Sequence, residues 1–325
     1  NKDVNEYLDF KIPEAFGKPI TLKDILTHTP GFEEQIKDLF TIGSNTPNLG
    51  EYVKTHIPTR IFPPGTVPAY SNYGTALAGY IVERVSGKPF DDYLEENIFK
   101  PLGMTHSTFR QPLPGNLAPD MSSGYQLASD EPKEFEMINA FPAGSLSSSA
   151  LDMSKFMLAH LQNGKLGEAQ ILKPETAKQM YSRLYTMDEG MPGMAHGFYE
   201  ESRNGHRIIG HGGDTMWFHS DLHLIHDAGV GFFISYNSQS RGHSSPREGI
   251  WEAFLDRYFP YKIPETPTLE TAKQEAQAVA GNYIGSRRAE MSAYRSLAVI
   301  GEVAVTANED GTIQVPLLPS ANGKP

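Results

Sequence analysis

Tyr70-Ser71-Asn72 comes shortly after a rigid turn, Phe62-Pro63-Pro64-Gly65, and stands at the mouth of a helical stretch. A phenol held there can project into a cleft. If nearby cations lower its pKa, it can take a proton from a hydroxyl and return it to a leaving group. Asn72 adds an amide able to hold a substrate carbonyl. The same three residue types also describe a tyrosine packed in an ordinary loop. A second set, Gly210-His211-Gly212-Gly213-Asp214-Thr215, ends a strand-like run. Its glycines let a ligand approach the backbone, and a free edge N–H can donate to an oxyanion. His211 could then steer protons or polarise the phenol. A tight turn between strands fits the spacing as well.

Other residue sets invite chemistry less. His219, Asp221 and His223 would share one face of a strand, as a zinc site requires, but His226 would face the other way, so ordinary strand residues fit better and no metal is expected. Ser145 to Ser149 is serine-rich yet has no lysine at a useful offset and no nucleophile-elbow glycines, so it reads as a turn and helix cap. Met104, Met121, Met137, Met153 and Met157 read as packing. Nothing resembles a phosphate loop or a dinucleotide fingerprint, and no cofactor is called for.

These groups need elements to position them. Ile20 to Thr27 has the apolar spacing of a short helix, with Thr21 as N-cap and Asp24 at the capping-box position. A helix is predicted over Gly74–Val85, closed by Gly87, and another over Phe90–Phe99, stopped by Pro101. Residues 105 to 140 show little periodicity, as a functional loop or lid would. Ser149 should cap a helix carrying Met153, Phe156, Met157 and Leu161, and Pro174 should open another. Strands are predicted over His206–His211, Met216–His226 and Val230–Asn237, the last two joined through Asp227-Ala228-Gly229. Trp251, Phe254, Leu255 and Tyr258 mark a further amphipathic helix. Pro264 and Pro267 suggest a linker at 263–268, which divides a main domain, 1–262, from a β-rich piece, 269–325.

The chain has 325 residues, no Cys, and a formal net charge of −11, with 39% hydrophobic residues. That suffices for a packed core. The acidic balance argues against nucleic acid or an anionic membrane as partner, since both need a basic face. Without Cys there are no disulfides, Cys–zinc sites or thiol catalysis. No apolar run is long enough to span a bilayer. The first residues, Asn1-Lys2-Asp3-Val4-Asn5, are neither an initiator Met nor a signal peptide, and the last follow strand-like sequence without a closing element, so both ends are expected to be cut from something longer.

Taken in order, the Pro-Pro-Gly turn, Tyr70-Ser71-Asn72 and Asn97-Ile98-Phe99-Lys100-Pro101-Leu102-Gly103-Met104 resemble the serine β-lactamase and penicillin-binding family, in its class C, D-aminopeptidase and esterase branch. So do ITLKDILTHTPG at 20–31, Phe141-Pro142-Ala143-Gly144-Ser145-Leu146, Leu151-Asp152-Met153 and Gly210-His211-Gly212-Gly213. The resemblance covers residues 1 to about 262. It implies an α+β fold, an antiparallel sheet flanked by helices plus a helical subdomain, with the start of an appended β-rich domain. It implies a serine that attacks an amide or ester carbonyl to form an acyl-enzyme. Tyr70 would be its general base and acid, His211 would stand where the family has the Lys of Lys-Thr-Gly, and Asn72, Gly213, Asp214 and Thr215 would bind substrate, Asp214 through its backbone N–H. The substrate would be a small molecule or peptide: a β-lactam, a D-amino-acid peptide or an ester. Location in the periplasm or outside the cell is what the resemblance implies.

Two departures stand out. No Ser or Thr has a Lys three residues on, so the family's Ser-x-x-Lys is absent and is expected upstream, on a missing N-terminal segment of the same protein. The chain alone would then be inactive. And His211 in place of lysine is mostly neutral at neutral pH, which weakens the hold on a substrate carboxylate. The alternative is a pseudoenzyme or cell-wall peptide-binding module that kept the cleft and lost the nucleophile.

Overall fold

The computed structural model describes residues 2–42, 47–239, 245–262, 267 and 269–316; of the linker expected at 263–268, only Pro267 is among them. Helix α1 (Leu22–Leu26) begins at Thr21, whose hydroxyl accepts the Asp24 N–H while the Asp24 carboxylate accepts the Thr21 N–H. This reciprocal cap satisfies two orphan donors of a helix too short to persist alone. Strand β1 (Phe40–Ile42) pairs antiparallel with β2 (Glu136–Ile138). Helices α2 (Leu49–Thr55) and α3 (Asn72–Ser86) pack with α1 around Ile20, Ile25, Phe32, Tyr52, Val53, Tyr73 and Leu77. This is the helical subdomain. Ser71 caps α3 by accepting the Gly74 N–H, and Gly87 closes it in the left-handed conformation (φ 71°).

The next helix runs past its predicted stop. After α4 (Phe90–Leu94) the chain takes one π turn over Glu95–Phe99 and continues into α5 (Lys100–Leu102). The Lys100 N–H reaches back five residues to Glu95 O. The wider turn accommodates the proline ring that would clash with the carbonyl four residues earlier. Gly103, with φ 64°, is what ends the helix.

Helix α6 (Ala150–Leu161), the hairpin β3 (Lys165–Leu166) and β4 (Ala169–Gln170), and α7 (Pro174–Tyr181) precede the main sheet. That sheet has four antiparallel strands in the order β5 (Tyr199–Arg203), β6 (His206–Asp214), β7 (His219–Ile225), β8 (Val230–Tyr236). Alternation splits its side chains between two helical layers. Ile209, Leu222 and Leu224 pack with Met153, Met157 and Tyr181 of α6 and α7. Ile208 and Ile225 pack with Trp251 and Leu255 of α8 (Pro246–Tyr258) on the other side. Strand β5 was not foreseen, because Tyr199-Glu200-Glu201-Ser202-Arg203 has no apolar alternation; its signal was the Asn204-Gly205 turn, both residues at positive φ.

The C-terminal piece is less purely β than expected. It contains α9 (Ala272–Val279) and α10 (Arg295–Ile300) beside a three-stranded sheet, β11 (Ile313–Gln314), β10 (Val303–Ala307), β9 (Gly281–Tyr283).

The irregular stretch after α5 is anchored by Asp152, buried at the start of α6. Its carboxylate accepts the His106 N–H (2.7 Å), the Ser107 hydroxyl (2.9 Å) and Lys155 (3.0 Å). Burial alone would raise its pKa, but these donors overcome that and hold it below the ordinary 3.8. We expect Asp152→Ala to cost about 1–3 kcal/mol, because three donors lose their acceptor. Denaturant unfolding measures this, and an unchanged midpoint would mean the loop is held by other contacts.

Candidate active site

The loop that carries Tyr70 is laced to the end of α1. Gly65 N–H donates to Thr29 O (2.8 Å), Ala69 N–H to His28 O (2.7 Å), and Ile61 N–H to Gly31 O (2.7 Å). At Gly31 (φ 84°) any Cβ would lie 1.9 Å from Phe62 O, so only glycine permits this approach. The last stitch is polar and buried: Ser71 N–H donates to His28 Nδ1 (3.2 Å). Accepting there, the neutral ring carries its proton on Nε2.

Tyr70 lies among aromatic rings drawn from three parts of the chain. Its centroid is 4.3 Å from that of His28, 6.4 Å from Tyr199 and 5.9 Å from His211. Tyr199 and His211 are 5.2 Å apart. The structure thus brings together Tyr70 and His211, separated by 141 residues of sequence (211 − 70). Asn72 is the first residue of α3, half-buried, with no side-chain hydrogen bond to another described residue.

His211 sits near the open end of β6. Strand β5 stops at Tyr199 opposite Gly210, so residues 211–214 have β7 on one side and no strand on the other among the described residues. The glycines here divide their labour. A Cβ at Gly210 would meet Leu222 O at 2.4 Å, a packing need, whereas one at Gly213 would meet nothing within 4 Å. His211 Nδ1 lies 2.6 Å from Gly212 O. A carbonyl only accepts, so Nδ1 carries the proton and the neutral ring keeps a lone pair on Nε2.

Asp214 and Thr215 have other commitments. The Asp214 carboxylate bonds Arg247 (2.8 Å) and His219 (2.6 Å), on the α8 face of the sheet and opposite to His211, so only its main chain is left for the cleft. The Thr215 hydroxyl donates to Glu136 (2.6 Å) and accepts the Phe218 N–H (3.0 Å). Glu136 is buried and also accepts the N–H groups of Met216 (2.8 Å) and Trp217 (3.2 Å). It pins the β6–β7 turn to β2.

The electrostatics of the cluster are set by burial. It raises the Tyr70 phenol above its ordinary 10.0, against an opposing pull from Arg287. It pushes Tyr199 up to about 12. It pulls His211 below 6.5, although the bond to Gly212 and the charge of Asp221 act upward. Burial, His211 and Arg287 together push His28 down to about 3. Both imidazoles are therefore neutral at neutral pH. The cation against Tyr70 is the Arg287 guanidinium, 4.7 Å from the ring centroid and paired with Glu34.

The histidines in and just after β7 are engaged in packing. His223 stacks on Trp251 of α8 (4.1 Å) between Asp221 and Glu201, while His226 lies against Tyr181 of α7 on the other face (4.0 Å). Among the described residues no three His, Cys, Asp or Glu side chains converge as a metal site would need.

A family model described as Beta-lactamase matches residues 1–254. The chain belongs to the β-lactamase family. It is 33% identical over 158 residues to penicillin-binding protein PbpX of Bacillus subtilis, covering 46% of this chain and 37% of that protein. It is 28% identical over 289 residues to penicillin-binding protein 4 of Amycolatopsis lactamdurans, covering 84% and 74% respectively. The chain spans less than half the length of the first relatives it matches, 37% and 47%. Among solved structures it resembles the octameric penicillin-binding protein homologue from Pyrococcus abyssi, with TM-score 0.64 and 19% identity over 97% of this chain and 72% of that one. It also resembles a β-lactamase/D-alanine carboxypeptidase from Yersinia pestis, with TM-score 0.59 and 19% identity over 78% and 75%. The fold is the α+β fold of β-lactamases and transpeptidases, and the family is one of hydrolases.

Sequence reading missed four residues of the site. Tyr199 lay in an unrecognised strand. His28 sits inside the ITLKDILTHTPG segment, but nothing there says that its ring touches Tyr70. Glu136 and Arg287 carry no local signal. Two tests follow. Glu136→Ala should cost about 1–3 kcal/mol in denaturant unfolding by leaving the turn's donors unpaired; an unchanged midpoint would show that the β6–β7 turn holds itself. The buried histidines also predict a pH slope. His28 and His160, at about 3 and about 4 when folded against 6.5 when free, favour the neutral form in the folded state. Their contribution is complete above pH 6.5 and is lost as pH falls toward those values. Depressed carboxylates such as Asp152 and Glu200 lose stability only below their ordinary 3.8 and 4.5, so the fall between pH 6.5 and 4.5 belongs to histidine. Urea midpoints that stay level across that window would contradict the burial of these rings.

Proposed function

We propose that this chain supplies most of a serine acyl-transfer hydrolase acting on amides or esters, D-amino-acid peptides and β-lactams among them. The observation that carries the reading is the meeting of Tyr70 and His211, ring centroids 5.9 Å apart, beside the end of β6 that has β7 on one side and no strand on the other among the described residues. A serine hydroxyl entering that cleft would lose its proton to the Tyr70 phenolate as its oxygen bonds the substrate carbonyl carbon. The oxyanion would take the Asp214 N–H and the serine's own N–H. The phenol would then protonate the departing amine or alcohol, and water would release the acyl group. Asn72 would hold the substrate amide, Gly213 and Thr215 would border it, and neutral His211 would offer the Nε2 lone pair to the phenol.

The nucleophile is proposed to come from polypeptide outside this sequence. No Ser or Thr here has Lys at the third position beyond it, and β8 has no strand partner on its outer edge among the described residues. The electrostatics support the same reading. A phenol raised by burial, with one paired guanidinium beside it, lacks the ammonium that would ready it as a base at neutral pH. A Lys one helical turn from the serine would supply that charge.

The test uses the full-length protein and a serine-reactive phosphonate or fluorescent penicillin, read by mass spectrometry. We expect an adduct on a serine followed three residues later by lysine. Tyr70→Phe should slow its formation by about 10²–10⁴-fold with an unchanged melting curve. Wild-type labelling by the Phe variant would remove Tyr70 from the proton path, and no adduct with any probe would favour a ligand-binding pseudoenzyme.

A further inference from the structure

Behind the cleft, on the face of the sheet that α8 covers, one buried imidazole lies between two carboxylates. His223 of β7 is 8% exposed. Its Nδ1 lies 3.5 Å from the Glu201 carboxylate of β5, and its Nε2 lies 3.6 Å from the Asp221 carboxylate two residues earlier on β7. That Nε2 is buried and has no hydrogen-bond partner among the described residues. The ring is stacked on the indole of Trp251 from α8, with centroids 4.1 Å apart and planes 8° from parallel. The indole N–H in turn donates to Glu201 (3.3 Å). Across the ladder, Gly210 of β6 and Phe232 of β8 stand opposite His223 and bring no charge. Titratable and charged groups farther along this face have other partners. Arg203 of β5 bonds Glu252 of α8 (2.9 Å), Asp214 of β6 is held by Arg247 of α8 and by His219, and His206 pairs with Asp227 at the other end of β6. Arg247 also lies 3.7 Å from Asp221.

We propose that His223 is a proton-operated latch between α8 and the back of the sheet, closed when the ring is charged and released when it is neutral, and that Asp221 and Arg247 pass its state to the open end of β6. A neutral imidazole donates to one carboxylate at most. A protonated one donates to both and presents a cation to the face of the indole. Charged, the ring ties β5, β7 and α8 at one point. Neutral, it leaves one of the two carboxylates without its donor. Asp221 is the shared member, because the Arg247 that lies against it also donates to Gly213 O (3.2 Å) and Ser220 O (2.9 Å). Burial alone would lower the pKa of the ring, but Asp221 and Glu201 overcome that and hold it above the ordinary 6.5. The latch therefore contributes fully below pH 6.5, and its contribution is lost as pH rises through the folded midpoint. That is the reverse of His28 and His160, so the two kinds of histidine act in separate pH windows. The latch lies outside the cleft and stands whether or not the cleft acylates.

The test is a pH titration of the full-length protein by NMR, from about pH 5.5 to about pH 8.5. It follows the His223 ring and the Trp251 indole N–H, each assigned by its loss in His223→Gln or Trp251→Phe. We expect both signals to titrate together, with one midpoint above 6.5. Glu201→Gln and Asp221→Asn should each weaken the proton affinity of the ring by about tenfold. Hydrogen-exchange protection of the backbone amides at 211–214 should fall in the wild type as pH rises through the same midpoint, and should stay level in His223→Gln. A His223 midpoint at or below 6.5, an indole signal that does not follow it, or level protection in the wild type would overturn the proposal. So would a protection step that survives in His223→Gln. Should that variant fail to fold, the two carboxylate variants decide: each should move the protection step to lower pH by about one unit, and a step that stays in place overturns the latch.

Discussion

The position of Tyr70 depends on one buried hydrogen bond, from Ser71 N–H to His28 Nδ1. Residue 71 is at once the neighbour of the phenol and the cap of α3, so the bond fixes the start of a fifteen-residue helix and the direction of Tyr70 together. The bond requires a lone pair on Nδ1 and therefore a neutral ring. Burial supplies that condition, and His28 itself sits at positive φ (53°), a strain that its surroundings must hold in place. Local chemistry at position 28 thus sets geometry at 70.

The cluster around Tyr70 is poor in positive charge for the alkoxide chemistry proposed for it. Two imidazoles are neutral, two phenols are raised by burial, and the guanidinium already has a carboxylate beside it. That half-exposed ion pair is itself worth only ~0–1 kcal/mol to the fold. Its significance is placement. A cation held over the face of a phenol lowers the cost of the phenolate, yet here it does not outweigh burial. The proposed proton transfer would therefore need a further charge.

The fold was legible where sequence neighbours decide structure. The capping box at Thr21 and Asp24, the Gly87 stop, the Ser149 cap and the β7–β8 hairpin are all local agreements between residue type and backbone. The Pro101 stop failed because a π turn, set by packing around Phe99, absorbs the ring. Strand β5 was missed because its charged side chains are paired elsewhere: buried Glu200 binds both Arg183 and Arg207, and no alternation survives in the sequence. Within the site, Tyr70 and His211 stood out because glycines and a proline turn frame them. His28, Tyr199, Glu136 and Arg287 act through contacts across 42, 129, 79 and 217 residues, the separations of 28–70, 70–199, 136–215 and 70–287, and such contacts leave no periodic trace.

The open end of β6 poses a physical problem that the far face of the sheet solves. A strand segment with a neighbour on one side only should fray, and fraying would blur any donor it presents. Side chains on the cleft face cannot brace it without filling the cleft, and Gly212 and Gly213 have none. The bracing comes from behind and from the tip. Arg247 of α8 donates to Gly213 O (3.2 Å), Ser220 O (2.9 Å) and the Asp214 carboxylate (2.8 Å), which ties β6 to β7 through their backs. Glu136 gathers three donors of the turn just beyond. The charged side chains of this region are thus engaged in bracing the strand and its turn. They let two glycines and one neutral imidazole hold a fixed shape on the side where a substrate would lie.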